Sequence, residues 1–312
     1  MTKVKKLSVV LIGLVLISLF LAWVGQKDRI ESVDKYLFAI QDTTQISGIV
    51  ISRDQKEISI QRNNNSWLIN EKYKADPQLI YLSQRILQAV ETQRPISRSN
   101  SELIKNELMQ SGCLVKIQLS NSESKTFYAG GNTAKTMAYF ANQDLSKIYT
   151  VAIPGYKSYL SGIFELTLNQ WRDRVLFASS WRTIQSFKVD YMAESISDLN
   201  IFFDDKFLKV EGVNQLDTAA LVNYLSPLAN FQLNDYLSPG SFSRYDSLTS
   251  VDPMARLSIK DIDANNNREL KIYPKIAGER FYLVTNDQNE MMVVDEGRMN
   301  NILVGPSQFQ KE

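Results

Sequence analysis

Residues 46–62 read ISGIVISRDQKEISIQR, two runs in which apolar and polar side chains alternate on either side of Asp54-Gln55. A period of two sends successive side chains to opposite faces, as in a strand with one buried and one wet face. Asn63-Asn64-Asn65 supplies a turn, and Trp67-Leu68-Ile69 a third strand. Ala75-Asp76-Pro77 follows. Asp76 suits a helix N-cap, and Pro77 the first helical position, where the missing N–H has no partner to lose. Over residues 77–90, Leu79, Ile80, Leu82, Ile86, Leu87 and Val90 recur at helical spacing.

The same order returns in the second half of the chain. After Ile184, Phe187-Lys188-Val189-Asp190-Tyr191 alternates, followed by residues 199–203 and 207–210. Leu216-Asp217-Thr218 supplies another cap, with Asp217 standing where Asp76 stood, before Ala220, Leu221, Tyr224, Leu225 and Leu228. The remaining strands match too. Residues 114–119, 126–129, 137–141 and 148–153 read as one meander, and residues 254–259, 269–273, 280–285 and 291–294 as another. Short helices are expected over 154–160 and 296–303, with partial helix over 164–180. The expected fold class is α+β: an N-terminal transmembrane helix, then two similar repeats of antiparallel β-sheet with packed helices. The expected organisation is an anchor (1–25), a connector (26–45), a first repeat (46–163), an inter-repeat segment (164–183) and a second repeat (184–312).

The anchor rests on residues 7–24, LSVVLIGLVLISLFLAWV, an uncharged run long enough to span a bilayer as a helix. Lys3, Lys5 and Lys6 precede it and hold the N-terminus in the cytoplasm, while Trp23 suits the far interface. Residues 22–25 offer no small-x-small cleavage site, so an uncleaved anchor is preferred to a cleaved signal peptide. The bulk of the chain is then extracytoplasmic.

With 35 basic and 34 acidic residues the net charge is +1, which gives no overall field to draw nucleic acid. There are no histidines, so Ser-His-Asp and Cys-His catalysis in their usual form are excluded. The one cysteine, Cys113, cannot form an intrachain disulfide, and its place before an alternating run suits a small buried residue.

A resemblance emerges from residues 38–49, from Ser66-Trp67-Leu68-Ile69 through Ala75-Asp76, from Arg94-Pro95-Ile96, and from Trp171-Arg172-Asp173-Arg174-Val175-Leu176-Phe177. On these, most of the chain beyond the anchor resembles the bacterial family designated domain of unknown function 4340. The resemblance implies an inner-membrane protein with one anchor and duplicated α+β units, often encoded near ABC-type or gliding-type transporter components. No catalytic residues carry over from it.

Few constellations suggest chemistry. Asp261, Asp263 and Asn265 have the spacing of a calcium loop, but Asn266 replaces its glycine and Ile272 its final glutamate. A polar hairpin is expected there instead. Gly130-Gly131-Asn132-Thr133-Ala134-Lys135-Thr136 lacks phosphate-loop spacing and reads as a turn between strands. Asp204-Asp205 reads as a turn, since neighbouring acids on a strand point apart.

Trp171, Arg172 and Arg174 are the candidate partner-binding residues, since tryptophan and arginine lead interface hot spots. The competing reading buries Trp171 at a junction and pairs Asp173 with an arginine. The functional expectation is a non-enzymatic, membrane-anchored binding or assembly module with a protein partner in the cell envelope. It would be an accessory subunit of an ABC-type transporter or envelope complex, without cofactor, metal or nucleic acid. The alternative is an envelope glycan hydrolase or transferase working through two carboxylates.

Overall fold

The computed structural model describes residues 13–18, 33–193 and 196–311. Residues 13–18 are helical, and the rest of the expected anchor at 7–24 lies outside the described residues. Among the described residues no helix is long and apolar enough to cross a membrane. The fold is α+β, with mostly antiparallel sheets and few helices. It forms two compact units, one comprising residues up to Gln61 with Tyr81–Glu165, the other Arg62–Ile80 with Leu166–Glu312. Residues 62–80, expected within the first repeat, thus group with the second unit.

In chain order, β1 (Ile46–Arg53) and β2 (Lys56–Asn63) are followed by the hairpin β3 (Ser66–Ile69) and β4 (Tyr73–Lys74). Helix α1 (Pro77–Ala89), β5 (Glu91–Pro95) and α2 (Arg98–Ser111) come next, then β6 (Cys113–Leu119), β7 (Ser124–Gly131), β8 (Ala138–Asn142) and β9 (Ile148–Ala152). The first unit's sheet runs β2-β1-β6-β7-β8-β9-β5. Alternate residues of its central strands, among them Ile49, Ile51, Val115 and Ile117, are buried as the period of two requires. Phe127 stacks on Phe140 at 4.8 Å, and Phe38 meets Phe140 edge-on at 5.5 Å, so rings fill this core in their preferred offset and tilted geometries.

The second unit adds α3 (Leu168–Trp171), β10 (Val175–Phe177), β11 (Ile184–Tyr191), β12 (Leu199–Asp204), β13 (Phe207–Val210) and α4 (Thr218–Leu225). After these come β14 (Phe231–Gln232), β15 (Asp235–Leu237), α5 (Ser243–Leu248), β16 (Ala255–Asp261), β17 (Arg268–Ile272), β18 (Phe281–Asn286), β19 (Met291–Asp295) and α6 (Glu296–Asn300). Its main sheet runs β13-β12-β11-β16-β17-β18-β19-β15. Leu221 and Leu225 of α4 and Met299 of α6 join the inner-face core. Tyr245 of α5 joins Tyr273, Leu283, Met291 and Val293 in a second cluster. Strands β18 and β19 therefore lose the alternation and are buried on both faces.

The two sheets share a strand order, β12-β11-β16-β17-β18-β19-β15 matching β2-β1-β6-β7-β8-β9-β5. They share an irregularity as well. The β1–β6 register shifts between Ile46 and Gly48, and the β11–β16 register between Ile184 and Ser186. Asp76 and Asp217 both act as caps, accepting from the backbone N–H of Gln78 at 2.8 Å and of Ala219 and Ala220 at 2.9 Å.

Two expectations need correction or completion. Residues 154–160 form turns, with a 3-10 helix only at Leu160–Ile163. The segment 164–180 is partly helical as expected, through the one-turn α3, and also holds the strand β10. Each meander gains a fifth, outer strand, β5 or β15, reached through α1 or α4.

Candidate functional site

Helix α3 is one turn long because its ends are both fixed. Thr167 and Gln170 close a capping box at its start, and Arg172 turns to extended backbone at its end. The chain then lies across the β3–β4 hairpin. Trp171 O accepts from Asp76 N at 2.8 Å, Arg172 bridges to Ala75, and Asp173 N donates to Lys74 O at 2.9 Å. The C-terminus repeats this strap. Phe309 O accepts from Asp217 N at 2.9 Å, Gln310 bridges to Leu216, and Lys311 N donates to Gln215 O at 2.8 Å. Trp171 and Phe309 occupy equivalent places, and both have no exposed surface. Trp171 is therefore a packing residue beneath the strap. With no surface to offer, it cannot be touched by a partner.

Arg172 is the centre of the site. Its guanidinium lies between two rings, 3.9 Å from the centroid of Tyr73 and 3.5 Å from that of Tyr236. Nη2 donates to both carboxylate oxygens of Glu290 at 3.1 Å. Glu290 Oε2 also accepts from Asn286 Nδ2 at 3.0 Å, which orients the carboxylate. Tyr236 donates its hydroxyl to Asp173 O at 2.8 Å, and burial pushes its phenol above the usual range despite the nearby guanidinium. A planar cation between two ring faces and a hydrogen-bonded carboxylate has little freedom left. Arg174 does not join this stack. Its backbone oxygen accepts from Leu233 N at 2.9 Å, and its Nε is buried without a partner among the described residues. The expected pairing of Asp173 with an arginine is replaced by a turn, Asp173 Oδ1 accepting from Val175 N at 3.0 Å.

The stack forms part of the wall of a cleft of about 1040 Å³. Lys72, Lys74, Lys260, Asp263, Arg268 and Glu269 also line it. Its acids are largely committed to structure. Asp263 caps the turn that follows it, accepting from Asn265 N at 3.0 Å, and Glu290 serves Arg172. Arg268 Nη1 donates to the carbonyls of Asn265 and Asn267 at 2.7 Å. The segment with calcium-loop spacing is thus a self-satisfied turn. Within it Asp261 is buried and accepts from Thr183 Oγ1 at 2.7 Å.

A second, smaller hollow of about 310 Å³ lies in the first unit. Glu165 accepts there from Lys135 Nζ at 2.6 Å and from the Tyr159 hydroxyl. Burial raises the Glu165 carboxyl, but these two donors outweigh it and hold the group below its ordinary value. The glycines of the loop-like motif serve packing. A side chain on Gly130 would strike Leu108, and one on Gly131 would strike the Tyr159 ring and Met137 O. Cys113 is buried, and that burial pushes its thiol up to about 11, so it carries little thiolate at neutral pH. Asp205 sits in the left-handed turn between β12 and β13, and Asp204 pairs with Lys209.

Sequence reading singled out Arg172 but missed its companions. Tyr73, Tyr236 and Glu290 lie far from it along the chain, Glu290 by 118 positions, and no local pattern links them. Compared with known proteins, the chain matches no family model, no curated protein and no solved structure.

Proposed function

We propose that this chain is a membrane-tethered, extracytoplasmic binding module that docks a partner of the cell envelope in the Arg172 cleft. The observation that carries the reading is the cleft itself. It is wide and polar, and its wall includes a guanidinium held rigid by Tyr73, Tyr236 and Glu290. Rigid polar groups beside a large concavity suit recognition, because little ordering remains to be done on binding. The acids whose hydrogen bonds are described there hold turns or neutralise Arg172, a poor arrangement for a carboxylate pair that must exchange protons.

The tether is supported by the apolar run at 7–24 behind Lys3, Lys5 and Lys6. The accessory role beside an ABC-type transporter or envelope complex is supported by the resemblance carried by residues 66–76 and 171–177.

The test uses exposed cleft residues, because Arg172 is buried and its loss would damage the fold. Tagged full-length protein is recovered from its own membranes in mild detergent, as wild type, as Lys74→Glu with Lys260→Glu, and as Lys157→Glu outside the cleft. A stoichiometric envelope partner, kept by wild type and Lys157→Glu and lost by the cleft variant, is the expected result. Recovery of the wild-type chain alone, while other membrane complexes survive, would overturn the proposal.

A further inference from the structure

The hollow of about 310 Å³ in the first unit occupies a place that the second unit fills with side chains. Counted from the register shift that the two sheets share, the pair Ala129–Phe140 corresponds to Ile272–Val284. One step further along, the first sheet has Gly130 opposite Tyr139, where the second has Tyr273 and Leu283. Tyr273 and Leu283 are buried together in a packed cluster. Gly130 has no side chain with which to do the same. Leu303 precedes the strap residue Phe309 by the interval at which Glu165 precedes Trp171, and Leu303 packs on the core. The fold thus tolerates apolar filling at these positions. The first unit instead keeps the space open and puts a carboxylate beside it.

Four charged groups line the hollow: Arg53, Lys135, Glu107 and Glu165. Arg53 Nε also pairs with Asp54 at 3.4 Å. Without Lys135 the lining is acidic. Lys135 is the movable member, since its side chain is 64% exposed while that of Glu165 is 15% exposed. A lysine so open to water is held loosely by one ion pair. Its ammonium lies 2.6 Å from Glu165 and 5.9 Å from the centroid of the Tyr159 ring. A carboxylate beside a ring face suits any ammonium group, not only this one. Tyr159 donates its hydroxyl to Glu165 and so fixes the carboxylate. Tyr139 lines the hollow with 5% of its surface exposed, and its hydroxyl has no hydrogen-bond partner among the described residues. A buried hydroxyl without a partner costs free energy, which a ligand's polar group would recover.

We infer that this hollow binds a small organic molecule bearing a primary ammonium, and that Lys135 holds the ammonium's place until the ligand arrives. The inference is independent of the Arg172 cleft, with which the hollow shares no lining residue. The ligand's ammonium takes the position of Lys135 Nζ on Glu165, beside the Tyr159 ring. A polar group further along the ligand meets the Tyr139 hydroxyl. The displaced Lys135 returns to water at little cost, because most of its side chain is already there. Glu107 disfavours an anion in the same space. A volume of about 310 Å³ matches the small end of ordinary ligand pockets.

The test titrates the full-length protein, in a neutral detergent at neutral pH, with aminobutanol, butanediol or hydroxybutyrate. These three probes share a four-carbon chain and differ in charge. Ligand-observed NMR reads binding, and circular dichroism confirms that each variant is folded. Lys135→Ala removes the competing ammonium and should tighten aminobutanol binding at least about tenfold over wild type. Butanediol and hydroxybutyrate should not bind saturably. Glu165→Gln added to Lys135→Ala should abolish aminobutanol binding. Lys135→Gln serves in place of Lys135→Ala if the alanine variant does not fold. Equal affinity in wild type and the Lys135 variant, or binding that survives Glu165→Gln, overturns the inference. So does a preference for hydroxybutyrate, which would put an anion on Arg53. Absence of saturable aminobutanol binding to a folded Lys135 variant overturns it as well.

Discussion

Replacing Glu290 with glutamine removes the one carboxylate that, among the described residues, bonds the Arg172 guanidinium, whose side chain is 10% exposed. At 3.1 Å, and with an effective dielectric of about 20, the Coulomb attraction is about 5 kcal/mol. Loss of one partner from a fully buried pair costs about 3–5 kcal/mol, because the other charge is stranded. Two features reduce that figure here. Glu290 keeps 20% of its side-chain surface, and the faces of Tyr73 and Tyr236 continue to attract the cation. Glu290→Gln should therefore cost about 2–3 kcal/mol. The double variant Arg172→Met, Glu290→Gln strands no charge and leaves an apolar stem between the rings. It should recover at least half of the loss. Urea denaturation of both variants and of Arg172→Met closes the cycle, provided the slopes agree. A Glu290→Gln protein as stable as wild type, or a double variant worse than the sum of the singles, would refute the reasoning.

Three further outcomes follow from the packing. Trp171→Ala and Phe309→Ala, which empty equivalent sites beneath the two straps, should each cost about 3–5 kcal/mol in the same denaturation assay. Gly131→Ala should cost about 1–3 kcal/mol, because its methyl meets the Tyr159 ring and the fixed carbonyl of Met137. Glu165 is held below its ordinary value of 4.5, so the stability it adds is present above that pH and is lost as pH falls through its folded value. Glu165→Gln should accordingly be less stable than wild type at neutral pH, with the gap closing below about pH 4.5 in a series of melts.

Much of the fold was legible because it depends on local pattern. Alternation marked β1, β2, β6, β11 and β16, and the two aspartate caps marked α1 and α4. Where burial departs from simple periodicity, the reading failed. Among the described side chains of α2, Ile104 and Leu108 are buried while Leu103 and Met109 are exposed, so its apolar stripe is blurred. Strands β5 and β15 read ETQRP and DYL, too short and polar to stand out. The site was legible only at its centre. Trp171 and Arg172 were visible as a pair, but the strap turns one into the core and the other into the cleft. What makes Arg172 distinctive is supplied by Tyr73, Tyr236 and Glu290, and only the tertiary fold brings those residues together.

Site-specific photo-crosslinking in native membranes tests partner docking in the Arg172 cleft most directly. A crosslinking residue is placed at Lys74 or Lys260 in the cleft, and at Lys157 outside it. Docking in the Arg172 cleft predicts one discrete envelope partner captured from both cleft positions and absent from position 157. Capture from position 157 alone, or no capture from either cleft position in membranes whose other complexes crosslink normally, would contradict it.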